Sequence, residues 1–164
     1  MTNRFFAVRG TLIGLVILLS ACADGRLPWN AGDKPPMLAG VTLGSSREAM
    51  LAVLGTPSKV DTLGRDENGA IGMRFASKGI AVVSTAKQGV AIIYVTSRDG
   101  GAIDGVRVGD KRPDVFKKWG TPTRSGPTKA LWVVGDWVVL VESAAAPADT
   151  VTRIGVGFAS SGGG

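Results

Sequence analysis

Ser84-Thr-Ala-Lys87 places a lysine three residues after a serine, the S-x-x-K spacing with which a lysine can take a serine's proton for acyl transfer. That chemistry needs the serine at the start of a helix, with Ser-Asp-Asn and Lys-Thr-Gly motifs close by. Here the string closes a strand-like run, leads into Gln88-Gly89, and neither companion motif follows. Asp66-Glu67-Asn68, in the loop Gly64–Gly69, offers oxygen ligands to a cation, but the spacing fits no calcium loop and reads as a solvated turn. The chain has no histidine, which removes the usual general base near neutral pH and the commonest zinc ligand. Its one cysteine, Cys22, excludes an intrachain disulfide and a cysteine-rich metal site. No catalytic residue, metal ligand or cofactor site is assigned, and the expectation is a protein that is not an enzyme.

Cys22 does sit where a thiol has work to do. Arg4 and Arg9 precede the apolar run 11–19, which is too short to span a bilayer comfortably and reads as the core of a secretory signal. The run continues into Leu19-Ser20-Ala21-Cys22, which resembles the lipobox of bacterial lipoproteins. The resemblance implies a diacylglycerol thioether on Cys22, cleavage before it, and acylation of the new amino terminus. Ala23 follows, where an aspartate would resemble an inner-membrane retention signal, so delivery to the outer membrane, on its periplasmic face, is expected. Residues 1–21 are then the signal peptide. Residues 22–39 are the lipidated cysteine and a Pro-rich tether with no helical or strand period. Trp29 is open to docking on lipid, on the folded part, or on neither.

These residues belong to a chain of 164, enough for one domain or two small ones with a shared core, and 45% hydrophobic. Twenty-four glycines and eight prolines predict short elements and many turns. The net charge is +6, or +4 once Arg4 and Arg9 leave with the signal. That is too small and scattered for nucleic acid, but compatible with anionic lipid or an acidic partner.

The folded part says one phrase twice. GVTLGSSREAMLAVLGTP, residues 40–57, and GVRVGDKRPDVFKKWGTP, residues 105–122, share seven identities in 18 positions, where about one or two are expected by chance. Met50/Val115, Leu51/Phe116 and Leu54/Trp119 form matching apolar helix stripes. Ser45 with Glu48, and Asp110 with Pro113, supply helix starts, while Gly55 and Gly120 followed by Pro57 and Pro122 supply stops. Strands are expected at 71–75, 79–84 and 90–97, then at 130–134, 137–142 and 151–158, with short ones near 59–63 and 123–125. The expected fold class is α+β: two tandem repeats of a short helix followed by an antiparallel β-meander, their sheets joined and the helices packed on one face of the sheet. Repeat 1 spans 40–97, a linker 98–104, repeat 2 105–159, and a disordered tail 160–164.

The pattern Gly-Val-x-x-Gly-x-x-Arg, a short helix, then Leu-Gly-Thr-Pro and a meander resembles the SmpA/OmlA (BamE-like) small outer-membrane lipoproteins, and the tandem fold of β-lactamase inhibitory proteins. The resemblance implies a helix-backed sheet used to bind protein, without catalysis.

Two features suit binding. Across Gly135-Asp136, alternation sets Trp132, Val134, Trp137 and Val139 on one face of a hairpin and Leu131, Val133, Val138 and Leu140 on the other. Trp132, Trp137 and Val139 are the candidate partner face, with burial in the core as the alternative. Arg107, Lys111, Arg112, Lys117, Lys118 and Arg124 form a candidate basic patch for an anionic lipid, although Arg112 matches Arg47 and so suits a structural role. The functional expectation is a non-catalytic outer-membrane lipoprotein acting as a protein-interaction or accessory module of the envelope, with outer-membrane protein assembly as one setting. The alternative is a periplasmic enzyme inhibitor or ligand-binding module that uses the sheet face. The expected partners are the membrane, through the anchor, and an envelope protein, with no nucleic acid.

Overall fold

The computed structural model describes residues 28–30, 32–63 and 69–159. The signal segment, Cys22, Asp66-Glu67-Asn68 and the tail 160–164 lie outside them.

Helix α1 (Arg47–Leu54) begins at Ser46, whose hydroxyl accepts the Ala49 N–H at 3.1 Å, one residue later than the expected Ser45 cap. Helix α2 (Arg112–Trp119) begins after Lys111 without a side-chain cap, because Asp110 accepts the Arg107 N–H at 2.8 Å instead. Gly55 and Gly120 end the helices at φ +82° and +74°, a backbone region that penalises any side chain with a Cβ.

The strands are β1 (Lys59–Thr62), β2 (Ile71–Phe75), β3 (Ile80–Thr85), β4 (Gly89–Val95), β5 (Arg124–Ser125), β6 (Lys129–Val134), β7 (Trp137–Ser143) and β8 (Val151–Phe158). All eight lie in a single antiparallel sheet, in the order β1-β2-β3-β4-β8-β7-β6-β5. This corrects the expected fold class. The molecule is not two tandem helix-plus-meander repeats with a helical layer on the sheet; it is mostly one sheet with two short helices. The physical reasons are visible. Strands β4 and β8 would each be an open edge if the halves stood apart, and pairing Ile92 with Gly157 through Val95 with Ile154 satisfies both rows of backbone groups. An eight-residue helix is only about 12 Å long. An eight-stranded sheet is about 34 Å wide, so two such helices cannot tile it. What the repeated phrase specifies is local, as in the isolated bridges Leu38–Val41 and Ile103–Val106.

One side of the sheet is sealed. Met73, Val82, Ile93, Val95, Ile154, Val156, Val139 and Trp132 are buried there with Met50 and Leu54 from α1 and Val115 and Trp119 from α2. Loop residues Leu38, Val41, Ile103 and Val106 complete the cover. So does Trp29, from the segment expected to be a tether. Its ring meets Trp119 at 5.1 Å and Trp137 at 5.6 Å between centroids, while the Trp137 indole N–H donates to the Asp33 carbonyl at 3.0 Å.

Candidate functional site

The strands place Trp132 opposite Val139 and Val134 opposite Trp137, as the hairpin alternation requires. Trp132, Trp137 and Val139 are each 0% exposed, so the candidate partner face is core and is corrected as such. The Trp132 ring lies edge-on to Trp119 at 5.3 Å and to Phe116 at 5.7 Å, which leaves no route for a partner. The hairpin has two apolar faces, and the helix stripes and loops cover this one.

The basic patch divides. Arg112 is buried at 9% exposure; its guanidinium donates to the Pro127 and Gly126 carbonyls and to Ser125 Oγ, and stacks on Phe116 at 5.0 Å. It holds the turn before β6 and is a structural residue. Lys111 donates to the Ala148 carbonyl at 2.8 Å, and Arg107 lies against the Arg98 carbonyl at 3.5 Å. Lys118 pairs with Asp104 at 3.7 Å. Lys117 and Lys118 are exposed on the outer side of α2, and Arg124 is exposed on edge strand β5. The six cations therefore do not converge. Nor do Ser84 and Lys87: Ser84 is buried, its Oγ accepting from Arg47 Nε at 3.3 Å, while Lys87 is exposed in a turn.

Among the described residues nothing covers the other face of the sheet. Directly paired residues share a face, so the registers define it. One row reads Lys59, Arg74, Ala81, Tyr94, Gly155, Leu140, Leu131, Arg124 across all eight strands. The next reads Asp61, Gly72, Val83, Ile92, Gly157, Val138, Val133. The middle is apolar and both ends of the first row are cationic. The apolar side chains of the middle are half-buried by one another, and Leu63 and Val133 at the margins reach 55% and 39% exposure.

Two glycines of β8 shape this face. A Cβ on Gly155 would stand 2.5 Å from Tyr94 Cδ1, so the Tyr94 ring lies down over the glycine. Gly157 similarly receives Ile92, at 3.3 Å from its would-be Cβ. With Tyr94 leaning toward β8, a cavity of about 560 Å³ opens over β2 and β3, lined by Leu63, Gly72, Ala81, Val83, Tyr94, Arg74 and Arg153 among others. Arg153 sits 5.4 Å over the Tyr94 ring and pairs with Glu142 at 3.2 Å; Glu142 also takes Lys129 at 3.2 Å. The open-face cations are thus partly pre-ordered. Among the described residues no group of three or more His, Cys, Asp or Glu could hold a metal ion. The arrangement can bind an apolar surface that carries negative charge. Its sequence signal was the glycine pair at i and i+2 in β8, where alternation asks for side chains.

No family model matches the chain, and no curated protein matches it. Two solved structures share its fold. One is an extracellular protein containing an SCP domain from Bacillus anthracis str. Ames, at 16% identity and TM-score 0.56, covering 70% of this chain and 43% of that one. The other is a cysteine-rich secretory protein from Staphylococcus aureus subsp. aureus Mu50, at 15% identity and TM-score 0.58, covering 80% and 49%. The chain spans under half the length of each, and at such identity the likeness is one of fold alone. This corrects the resemblance to SmpA/OmlA (BamE-like) lipoproteins: no family model supports it, and the two similar structures are an SCP-domain-containing protein and a cysteine-rich secretory protein. Among the described residues no helix is long and apolar enough to cross a membrane.

Proposed function

We propose that this protein is an exported, non-catalytic binding module whose working surface is the open face of the sheet. The observation that carries the reading is the contrast between the two faces: one sealed by helices, loops and four tryptophans, the other apolar, uncovered among the described residues and edged with cations. A contiguous exposed apolar surface with a polar rim is the usual mark of an interaction site. The absence of histidine from the sequence and the scattering of Ser84 and Lys87 favour binding over catalysis.

Anchoring through Cys22 belongs to the same proposal and fits the geometry. Trp29 enters on the sealed side, and seven residues from Cys22 reach at most about 25 Å. A lipid on Cys22 would therefore tether the domain through the segment that docks on its sealed side. The fold likeness does not bear on outer-membrane assembly, and the partner class rests on the face's own chemistry.

The test is a pull-down from detergent-solubilised envelopes, using the wild type, a Val83→Glu/Val133→Glu variant and a Lys117→Glu/Lys118→Glu variant. A companion lost only with the Val83/Val133 variant, at unchanged thermal stability, supports the reading. A companion lost only with the Lys117/Lys118 variant overturns it. Fatty-acid labelling abolished by Cys22→Ala tests the anchor separately.

A further inference from the structure

The open face is not uniform. Its β6–β7 half carries Leu131, Val133, Val138 and Leu140, whereas its β2–β3 half is hollowed. The hollow exists because small residues line its floor. Gly72 raises no side chain into it and Ala81 only a methyl; Leu63 folds over Gly72, at 3.1 Å from a would-be Cβ, and forms one wall. Tyr94, drawn over Gly155, forms the opposite wall. A volume of about 560 Å³ lies within the range of small-molecule sites.

The charges at its margin are unequal. Asp61 is paired with Lys59 at 2.9 Å and Arg153 with Glu142 at 3.2 Å, Glu142 being shared with Lys129, while Arg74 also lines the hollow, so cations outnumber carboxylates around it. Arg153 keeps its place through Glu142 and the Tyr94 ring, so little ordering is needed when it meets an anion. An extended polypeptide fits poorly. It would gain no ladder hydrogen bonds, since the strand backbones here are already paired on both sides, and walls on two flanks interrupt a long track. A compact amphiphile meets every condition on the page.

We infer that the hollow between Leu63 and Tyr94 binds a small amphiphilic anion: an aliphatic or aromatic body seated on Gly72, Ala81 and Val83, with one carboxylate at Arg74 and Arg153. This rests on the open face being the binding surface and adds the class of ligand.

The probe is anilinonaphthalene sulfonate, whose fluorescence reports occupancy of the full-length protein, displaced by decanoate with decanamide as the uncharged control. Decanoate should displace it at least tenfold more effectively than decanamide, from one site per chain. Arg74→Gln should weaken decanoate about tenfold while leaving decanamide unchanged. Ala81→Leu, which fills the floor, should abolish both, with an unchanged melting temperature as the folding control. Equal displacement by decanamide, unaltered decanoate binding in Arg74→Gln, or unaltered binding in Ala81→Leu overturns the proposal. If no amphiphile binds while the pull-down companion is still lost with Val83→Glu/Val133→Glu, the ligand class is wrong and the open-face reading stands. Loss of neither overturns both.

Discussion

Replacing Trp137 by alanine should cost a large share of the protein's stability. Trp137 is fully buried, its ring meets Trp29 at 5.6 Å, and its indole N–H donates to the Asp33 carbonyl at 3.0 Å. Truncating a buried tryptophan to alanine costs about 3–5 kcal/mol, including the cavity that remains. For a domain of this size each kcal/mol is worth roughly 3–4 °C, so the melting temperature should fall by on the order of 10–20 °C. Trp137→Phe keeps an aromatic ring but leaves the Asp33 carbonyl without its donor; the loss of that hydrogen bond alone costs about 1 kcal/mol, and the smaller ring adds to it. Val133→Ser, on the open face, should change stability by less than about 0.5 kcal/mol. The assay is urea and thermal unfolding followed by circular dichroism. If Trp137→Ala unfolds within about 0.5 kcal/mol of the wild type, the tryptophan face is not the core and the assignment of the two faces is refuted.

Arg112→Met removes the donor to the Gly126 and Pro127 carbonyls and to Ser125 and should destabilise by about 1–3 kcal/mol, with Arg112→Lys recovering only part; urea unfolding reads both. Gly155→Ala places a Cβ 2.5 Å from Tyr94 Cδ1, so the ring must lift and Arg153 lose its stacking; a cost of about 1–3 kcal/mol and weaker decanoate binding are expected together. Glu48 is held below the ordinary 4.5, first by hydrogen bonding to backbone N–H at the helix start and then by the Ser46 hydroxyl, with Arg47's charge a smaller aid. A lowered native value means that its contribution is present above 4.5 and lost as pH falls through the native value. The stability gap between wild type and Glu48→Gln should therefore be seen at pH 7 and close on acidification, which paired urea titrations check.

Much of the strand content was legible because alternation and turn residues are local signals. Ile71–Phe75 and Val151–Phe158 match their expected limits, and Gly135-Asp136 fixed the partners of Trp132 and Trp137. Which strands join the two halves was not legible. The contact that makes one sheet, β4 on β8, joins segments some sixty residues apart, and no turn chemistry announces it. The covering of a face was hidden for a related reason: the hairpin is apolar on both sides, and alternation cannot say which side Leu38, Ile103 and Trp29 will come to cover. Trp29 itself lay in a segment whose prolines argued for a tether, and its docking depends on the slot between Trp119 and Trp137 that only tertiary structure creates. The open-face hollow follows from Gly72, Ala81 and Gly155, small residues that lie outside the repeated phrase.

Photocrosslinking in intact cells tests the account's centre most directly, with a benzophenone side chain placed at Val83 or Val138 on the open face, or at Ala49 or Lys117 on the outer side of the helices. Open-face positions should capture a partner or a lipid-like molecule, and helix positions should capture none or only membrane lipid. Discrete protein adducts from Ala49 and Lys117, with Val83 and Val138 silent in a folded protein, would contradict it.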